Sequence, residues 1–586
     1  MRFLIAAVLF VGSLVTSLLG IGDRTIWAPP ADHHVSLTLT SNAPFVVVPA
    51  SVLAEHSGNP VITVKSKNPT SPVFVSYGRE SDIRAWLGSA HFVELQTDKT
   101  AAGVATVTQG LDRIGLRGVN PNGSDLWVDS RSGNGLVSIQ ASAAAGTGAL
   151  IAADGALPTP TELKFVWGIK HDLTYSNTML YIGAGLFVAA VVMLIIASRH
   201  KRVKRGPRRR TPKAPRAKRI RVKANKELTK GRGRRSVRRN PLGKIASRVA
   251  SVSLVLVTSA ALTGCTIQWP GVTSGANPSA SPSVESSANT ASPAVLTRTQ
   301  LERIIKDVSA VAANGDKANN RSLITSRFAG PAFQIRAVNY ALRKKSSRVD
   351  ALQPIAPRAI TFSLPAASDV WPRTVMAVTD EPGQAVPPQL VVLQQASPRD
   401  NYKVWYVSRL LPGIKIPATP TETVGAIPVD AKSVFIKLAP NQLAAAFGDV
   451  INKGKASLSA GLFDLTNPFY TQVSSEQKAQ VESLENAKVT FKHSLGEANV
   501  LSLATADAGA LVATYMLDTY VIKPNRAGAA VAVEGQEKIL LGTGGSTSGV
   551  QSVYGDMLLF YVPPVTSKDE IQLLGVTQGL VSIKKL

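Results

Sequence analysis

Three long apolar segments interrupt a chain whose other hydrophobic positions recur at strand or helix spacing. The first, Phe3–Ile21, follows a single base, Arg2, and predicts a signal peptide or signal anchor over residues 1–22. The second, Met179–Ala197, carries no charge. At about 1.5 Å per residue it nearly spans a hydrocarbon layer of roughly 30 Å, and it predicts a transmembrane helix over 179–197. Tyr175 and Tyr181 stand at its start, where an aromatic belt would sit. The third, Val249–Gly264, is shorter and rich in Ser and Thr. It predicts a second transmembrane helix or a lipoprotein signal core over 249–264.

Between the first two segments, residues 28–170 read as a β-sandwich. Short apolar runs recur at Val35–Leu39, Phe45–Val48, Val61–Val64, Val73–Ser76, Phe92–Leu95, Val104–Val107, Leu126–Val128, Leu136–Ile139, Leu150–Ala152 and Leu163–Trp167. Turn-forming Gly, Pro, Asn and Asp separate them. One short helix is predicted at Ser81–Leu87.

Residues 296–586 read as α+β, with an internal repeat. Leu301, Ile304, Ile305, Val308 and Val311 line one helical face, and Thr299 with Glu302 gives a capping-box spacing. The pattern returns 142 residues later, with Leu443, Phe447 and Val450 matching Leu301, Ile305 and Val308. Each helix leads to a Pro-aromatic element, Pro331 with Phe333 and Pro468 with Phe469. Ala359–Phe362 then reads like Lys488–Phe491. Strands are expected at Thr374–Val378, Leu390–Leu393 and Tyr402–Arg409, and again at Leu511–Met516, Thr519–Ile522, Lys538–Leu541, Met557–Val562 and near Val581. Two tandem α+β domains follow from this, 296–415 and 430–586. Helices before a curved antiparallel sheet resemble the cone-shaped fold of the nuclear-transport-factor-like superfamily. That fold hosts enzymes, ligand pockets and interaction domains alike.

Charge adds the orientation. The chain carries 65 Lys and Arg against 38 acids. Residues 199–248 hold 23 of those bases and one acid, Glu227, leaving 42 against 37 elsewhere. The basic excess is therefore one loop. By the positive-inside tendency that loop is cytoplasmic, and both folded regions lie outside at the cell membrane. Arg199, Lys201, Arg202, Lys204 and Arg205 are its candidates for anionic-lipid contact. The run contains no aromatic to stack on bases, so nucleic acid is not the expected partner.

Cys265 is the single cysteine. Leu262, Thr263 and Gly264 before it resemble the lipobox of bacterial lipoproteins, in which the thiol receives a diacylglycerol and the chain is cut ahead of it. Residues 266–295, rich in Ser, Pro and Ala, read as a disordered tether. The whole layout resembles uncharacterised membrane proteins of actinobacteria. The matching stretches are Asp23–Pro30, Ser124-Asp125-Leu126-Trp127 and Ala153-Asp154-Gly155. That resemblance implies a Gram-positive cell envelope.

No catalytic constellation stands out, and no metal or cofactor is expected. His33, His34, His56 and His91 match no metal-ligand spacing. His493 is the only His after His200 and alternates with Phe491 in an expected strand, which suggests a structural role. Gly542–Gly549 lacks the P-loop lysine and reads as a hairpin or loop. The expected function is a membrane-anchored binding or scaffold protein with an unidentified envelope protein or lipid as ligand. The alternative is an envelope hydrolase or isomerase using a pocket in one cone-like domain.

Overall fold

The computed structural model describes residues 2–28, 32–99, 105–113, 118–168, 172–203, 295–366, 368–380, 387–422, 424–484 and 486–586. The chain divides into two compact units, Met1–Leu14 with Gly183–Asn289 and Val15–Ile182 with Thr290–Leu586.

Helix α1 (Arg2–Thr25) opens the chain. A β-rich region follows, with β1 (Asp32–Thr38), β2 (Phe45–Val48), α2 (Ala50–Leu53), β3 (Val61–Lys65), β4 (Pro72–Arg79), α3 (Glu80–Leu87) and β5 (Phe92–Lys99). It continues with β6 (Ala105–Arg113), β7 (Asp129–Asn134), β8 (Leu136–Gln140), β9 (Thr147–Ala152) and β10 (Glu162–Gly168), and leads to α4 (Thr174–Val203). The α+β region holds α5 (Arg298–Ala318), α6 (Gly330–Lys345), β11 (Ala359–Ser363), β12 (Arg373–Thr379), β13 (Gln389–Gln395) and β14 (Lys403–Leu410). It then runs α7 (Leu443–Lys453), α8 (Pro468–Ser483), β15 (Ala487–Leu495), β16 (Leu501–Ala504), β17 (Ala510–Pro524), β18 (Val531–Ala532), α9 (Gly535–Leu541), β19 (Gly545–Ser546), β20 (Val550–Val562) and β21 (Gln572–Lys585).

Both α1 and α4 are long and apolar enough to cross a membrane, with mean hydropathies of 2.4 and 2.6. Buried small residues recur at every seventh position, at Ala6, Ser13 and Gly20 and at Ser176, Gly183, Ala190 and Ala197, with Gly22 also buried in α1. In the first unit the helices run antiparallel, with the Ser13 hydroxyl donating to the Gly183 carbonyl at 2.8 Å and Phe10 facing Phe187. In the second unit Ser176 donates to the Gly20 carbonyl at 2.7 Å. Small side chains at a seven-residue period let two helix backbones approach closely.

In the β-rich region a four-stranded sheet, β1-β10-β3-β8, faces a six-stranded one, β6-β5-β2-β9-β4-β7. Val64, Ile139 and Trp167 of the first share a core with Val46, Val75 and Ile151 of the second. The alternate residues of the larger sheet, Phe45, Phe74 and Leu150, turn to a second core with Ile83 and Trp86 of α3. The helix expected at Ser81–Leu87 is thus present. Leu126–Val128 is not a strand as expected: it is a turn, apolar because Leu126 and Trp127 are buried in that second core.

In the α+β region one nine-stranded sheet runs β11-β12-β13-β14-β21-β20-β17-β15, with β16 beside β17. Helix-then-strand order recurs, and Leu301, Ile305 and Val308 are as fully buried as their counterparts Leu443, Phe447 and Val450. The two halves do not form separate sheets, however, so the expected break between 415 and 430 does not divide the region. Arg409 and Leu410 at the end of β14 pair with Val576 and Gly575 of β21. Strands β17 and β20 are buried on both faces. Leu511, Tyr515, Met557 and Leu559 pack with α5 and α6, whereas Val512, Met516, Leu558 and Phe560 pack with α7 and α8. Burial on both faces replaces alternation with continuous apolar runs. The runs expected as two strands, Leu511–Met516 and Thr519–Ile522, are one strand, β17.

Three smaller expectations change. The capping box lies at Thr297 and Gln300, because the chain is still extended at Thr297 and α5 begins at Arg298. Lys538–Leu541 lies in helix α9, ended by Gly542 in the left-handed conformation. Four residues are too few to separate strand from helix by period. Within Gly542–Gly549, Gly545 and Ser546 pair with Val531 and Ala532.

Candidate functional site

The β-rich and α+β regions meet through two buried ion pairs within the second unit. Asp82 stands in the first turn of α3, where a helix N-terminus favours negative charge. Arg373 at the start of β12 grips it with both terminal nitrogens, at 3.0 and 2.7 Å. Their side chains are only 2 % and 1 % exposed. The Arg373 guanidinium also lies 3.7 Å over the Trp371 ring centroid. Arg79 braces the pair from β4, donating to the Ser368 carbonyl at 2.8 Å and pairing with Asp369 at 2.9 Å.

The second pair uses Asp125, in the turn Ser124-Asp125-Leu126-Trp127. Arg327 donates to both its carboxylate oxygens, and the Tyr402 amide adds a bond of 2.8 Å. Arg303 and Gln300 of α5 reach the Trp127 and Leu126 carbonyls at 2.6 and 3.0 Å. Arg399 covers the end of α3, donating to the Trp86 and Leu87 carbonyls at 2.8 Å each. Cations at a helix C-terminus satisfy carbonyls that lack a partner within the helix. Each buried carboxylate therefore has a guanidinium and further donors, the condition under which a buried charge is tolerated.

A second polar cluster lies on the sheet face covered by α7 and α8. His493 of β15 stands opposite Asp518 of β17 in the ladder, with Nε2 3.0 Å from Asp518 Oδ1. Its Nδ1 is 2.6 Å from Asn452 Oδ1 of α7, and Nε2 is 3.2 Å from Gln477 Nε2 of α8. The Asp556 carboxyl of β20 is fully buried. Burial and the neighbouring Asp518 raise its pKa well above the ordinary carboxyl range, against the effect of Gln578 on β21. Both effects favour the protonated form of Asp556. No guanidinium or ammonium reaches this pair among the described contacts. Its geometry is that of a packed polar core, with the imidazole fixed from both helices, and the structural role expected for His493 accords with it.

Where β14 and β21 diverge, two hollows open. One, of about 220 Å³, lies between α6, β14 and β21. The other, of about 370 Å³, lies against α8. Arg409 and Gln578 border both.

The lipidation candidate Cys265, with Leu262, Thr263 and Gly264, lies outside the described residues, as do Lys204 and Arg205. Arg199 is exposed near the end of α4, and the backbone of Lys201 and Arg202 belongs to the same helix. The rings of His33 and His56 come together, 3.8 Å between centroids, with Trp167 beside them. Burial, and secondarily His33, lower the His56 pKa. No group of three or more metal-ligating side chains occurs among the described residues. Sequence reasoning quoted Asp125 within its motif but missed the ion pairs. Their signal was faint: single charges set in apolar surroundings, with partners more than 200 residues away.

A family model described as "Domain of unknown function (DUF8094)" matches residues 292–585, half of the chain. A search of curated proteins found no match.

Proposed function

The chain belongs to the DUF8094 family, and we propose that it is a membrane-anchored, extracytoplasmic binding or scaffold protein of a bacterial cell envelope. The observation that carries this reading is the pair of buried contacts Asp82–Arg373 and Asp125–Arg327. Residues in such contact lie on one side of any membrane. If α4 crosses the bilayer, the chain returns before α5, and the third apolar segment, 249–264, supplies that return as a helix or as a lipoprotein signal ending at Cys265. The 199–248 loop then lies on the cytoplasmic side, with Arg199, Lys201, Arg202, Lys204 and Arg205 near anionic lipid. The seven-residue stripe shared by α1 and α4 supports retention of α1 as an anchor. The actinobacterial setting rests on the resemblance in layout. The helix-then-strand order supports cone-like halves fused through one sheet.

An enzyme reading would rest on His493, Asp518 and Asp556. Their enclosure between sheet and helices favours a structural role instead.

Cysteine labelling tests the topology in a Cys265→Ser background. Ser132→Cys and Thr566→Cys, both exposed, should react with an impermeant maleimide on intact cells, and Ser236→Cys only after permeabilisation. Labelling of Ser132→Cys and Thr566→Cys from opposite sides would overturn the reading.

A further inference from the structure

The smaller hollow at the sheet fork differs from the polar cores. Ile335, Leu352, Val407 and Met557 give it an apolar lining. Among the described residues no acid contributes to its wall, but two guanidiniums do, Arg336 and Arg409. Their situations differ. Arg336 is buried, and Asp316 holds it through both carboxylate oxygens, at 2.5 and 2.6 Å. Arg409 makes no ion pair among the described residues. Glu476, which borders the neighbouring groove with Arg409, accepts from the Gln472 side chain at 2.8 Å.

The fork produces this arrangement. Strand β14 pairs with β21 at only two positions, and the Arg409 amide then donates to the Thr577 hydroxyl at 3.1 Å instead of to a backbone carbonyl. The strands part there, leaving an apolar space with the exposed Arg409, unpaired among the described residues, at its mouth. Neutral amides of Gln389 and Gln578 stand nearby. Pockets of this composition, an apolar body with few polar groups, are the usual form of small-molecule sites. A guanidinium matches a carboxylate in charge and in fork geometry.

We propose that this cavity binds a small organic carboxylate with an apolar tail, the carboxylate held by Arg409 and the tail lying against Ile335, Leu352, Val407 and Met557. The inference names a ligand class for the binding reading above and rests on it only for there being a ligand. A failed titration would leave the labelling result untouched, and a failed labelling would leave the titration intact. A carboxylate of this kind ends both acyl chains and peptides, so two probes separate the sources: octanoate and N-acetyl-leucine.

The full chain in lipid nanodiscs is titrated by calorimetry, with empty nanodiscs as blank. At least one probe should saturate at one site per chain, and its neutral amide should bind at least about tenfold more weakly. Arg409→Met should abolish that preference while leaving the amide's affinity unchanged, which a misfolded variant would not do. Leu352→Trp, filling the cavity, should abolish binding of acid and amide alike. Binding of octanoate alone assigns the acid to an acyl chain, and binding of N-acetyl-leucine alone to a peptide terminus; either supports the site. Equal affinity for acid and amide, a preference that survives in Arg409→Met, or no saturable binding of either probe overturns it.

Discussion

Asp125 and Asp518 are buried almost equally, at 2 % and 1 % exposure, yet the molecule treats the two sites in opposite ways. At the junction between regions each buried carboxylate meets a guanidinium. Inside the sheet, Asp518 faces the His493 imidazole, and beside it burial and the neighbouring acid raise the Asp556 pKa. Ion pairs thus join parts of the chain that are far apart in sequence, whereas the sheet places Asp556 beside another acid on the adjacent strand. The lesson is that burial alone does not fix a carboxyl's role; its partner does.

Breaking the junction should have the largest effect. Arg373→Met leaves Asp82 buried with only the longer contact to Arg79, at 3.5 Å, and breaking a buried pair costs about 3–5 kcal/mol. Thermal unfolding of the detergent-solubilised full chain should show a large fall in midpoint. Adding Asp82→Asn should restore part of it, since the stranded charge is then gone. If the single and double variants unfold alike, the pair is not the determinant.

The sheet cluster should respond to pH in the other direction from an ordinary ion pair. A carboxyl whose folded pKa is raised has its stabilising effect fully present below the ordinary value near 3.8 and lost as pH rises towards the folded pKa. The limiting slope is about 1.4 kcal/mol per pH unit. Asp556→Asn should remove this decline, making the variant more stable than the parent at alkaline pH. Unfolding midpoints across the pH range check the crossing; a variant less stable than the parent at every pH would refute the protonated state.

The smallest effect concerns α5, which carries Gln300 and Arg303 to the Asp125 turn. Thr297→Ala deletes the capping box and should cost about 1 kcal/mol. A loss as large as that of Arg373→Met would mean that the cap, rather than the ion pairs, orders the junction.

Much of this architecture was legible because it rests on periodicity. The helical face of Leu301, Ile305 and Val308 and its echo at Leu443, Phe447 and Val450 both point to cores. The seven-residue small stripe in α1 and α4 was also readable, but only once the two helices were known to be partners. What was not legible depended on pairing at a distance. No local pattern says that β14 will end against β21, joining both halves of the region in one sheet. Nor does Arg373 announce that it belongs to Asp82. Asp518 was the exception that could have been found, since an acid between Tyr515-Met516-Leu517 and Tyr520-Val521-Ile522 is out of place in an apolar run.

We propose that the β-rich and α+β regions, joined by their ion pairs, lie together on the outer side of a membrane. Asn122 and Asp400 are exposed and flank the bond from Asn401 to the Gly123 carbonyl. Cysteines at these two positions, in a Cys265→Ser background, are treated on intact cells with a short, membrane-impermeant bis-maleimide. Peptide mass spectrometry should find the two sites linked, and the link lost in Arg373→Met with Arg327→Met. Both cysteines modified singly but never linked, or linked only after permeabilisation, would contradict the account.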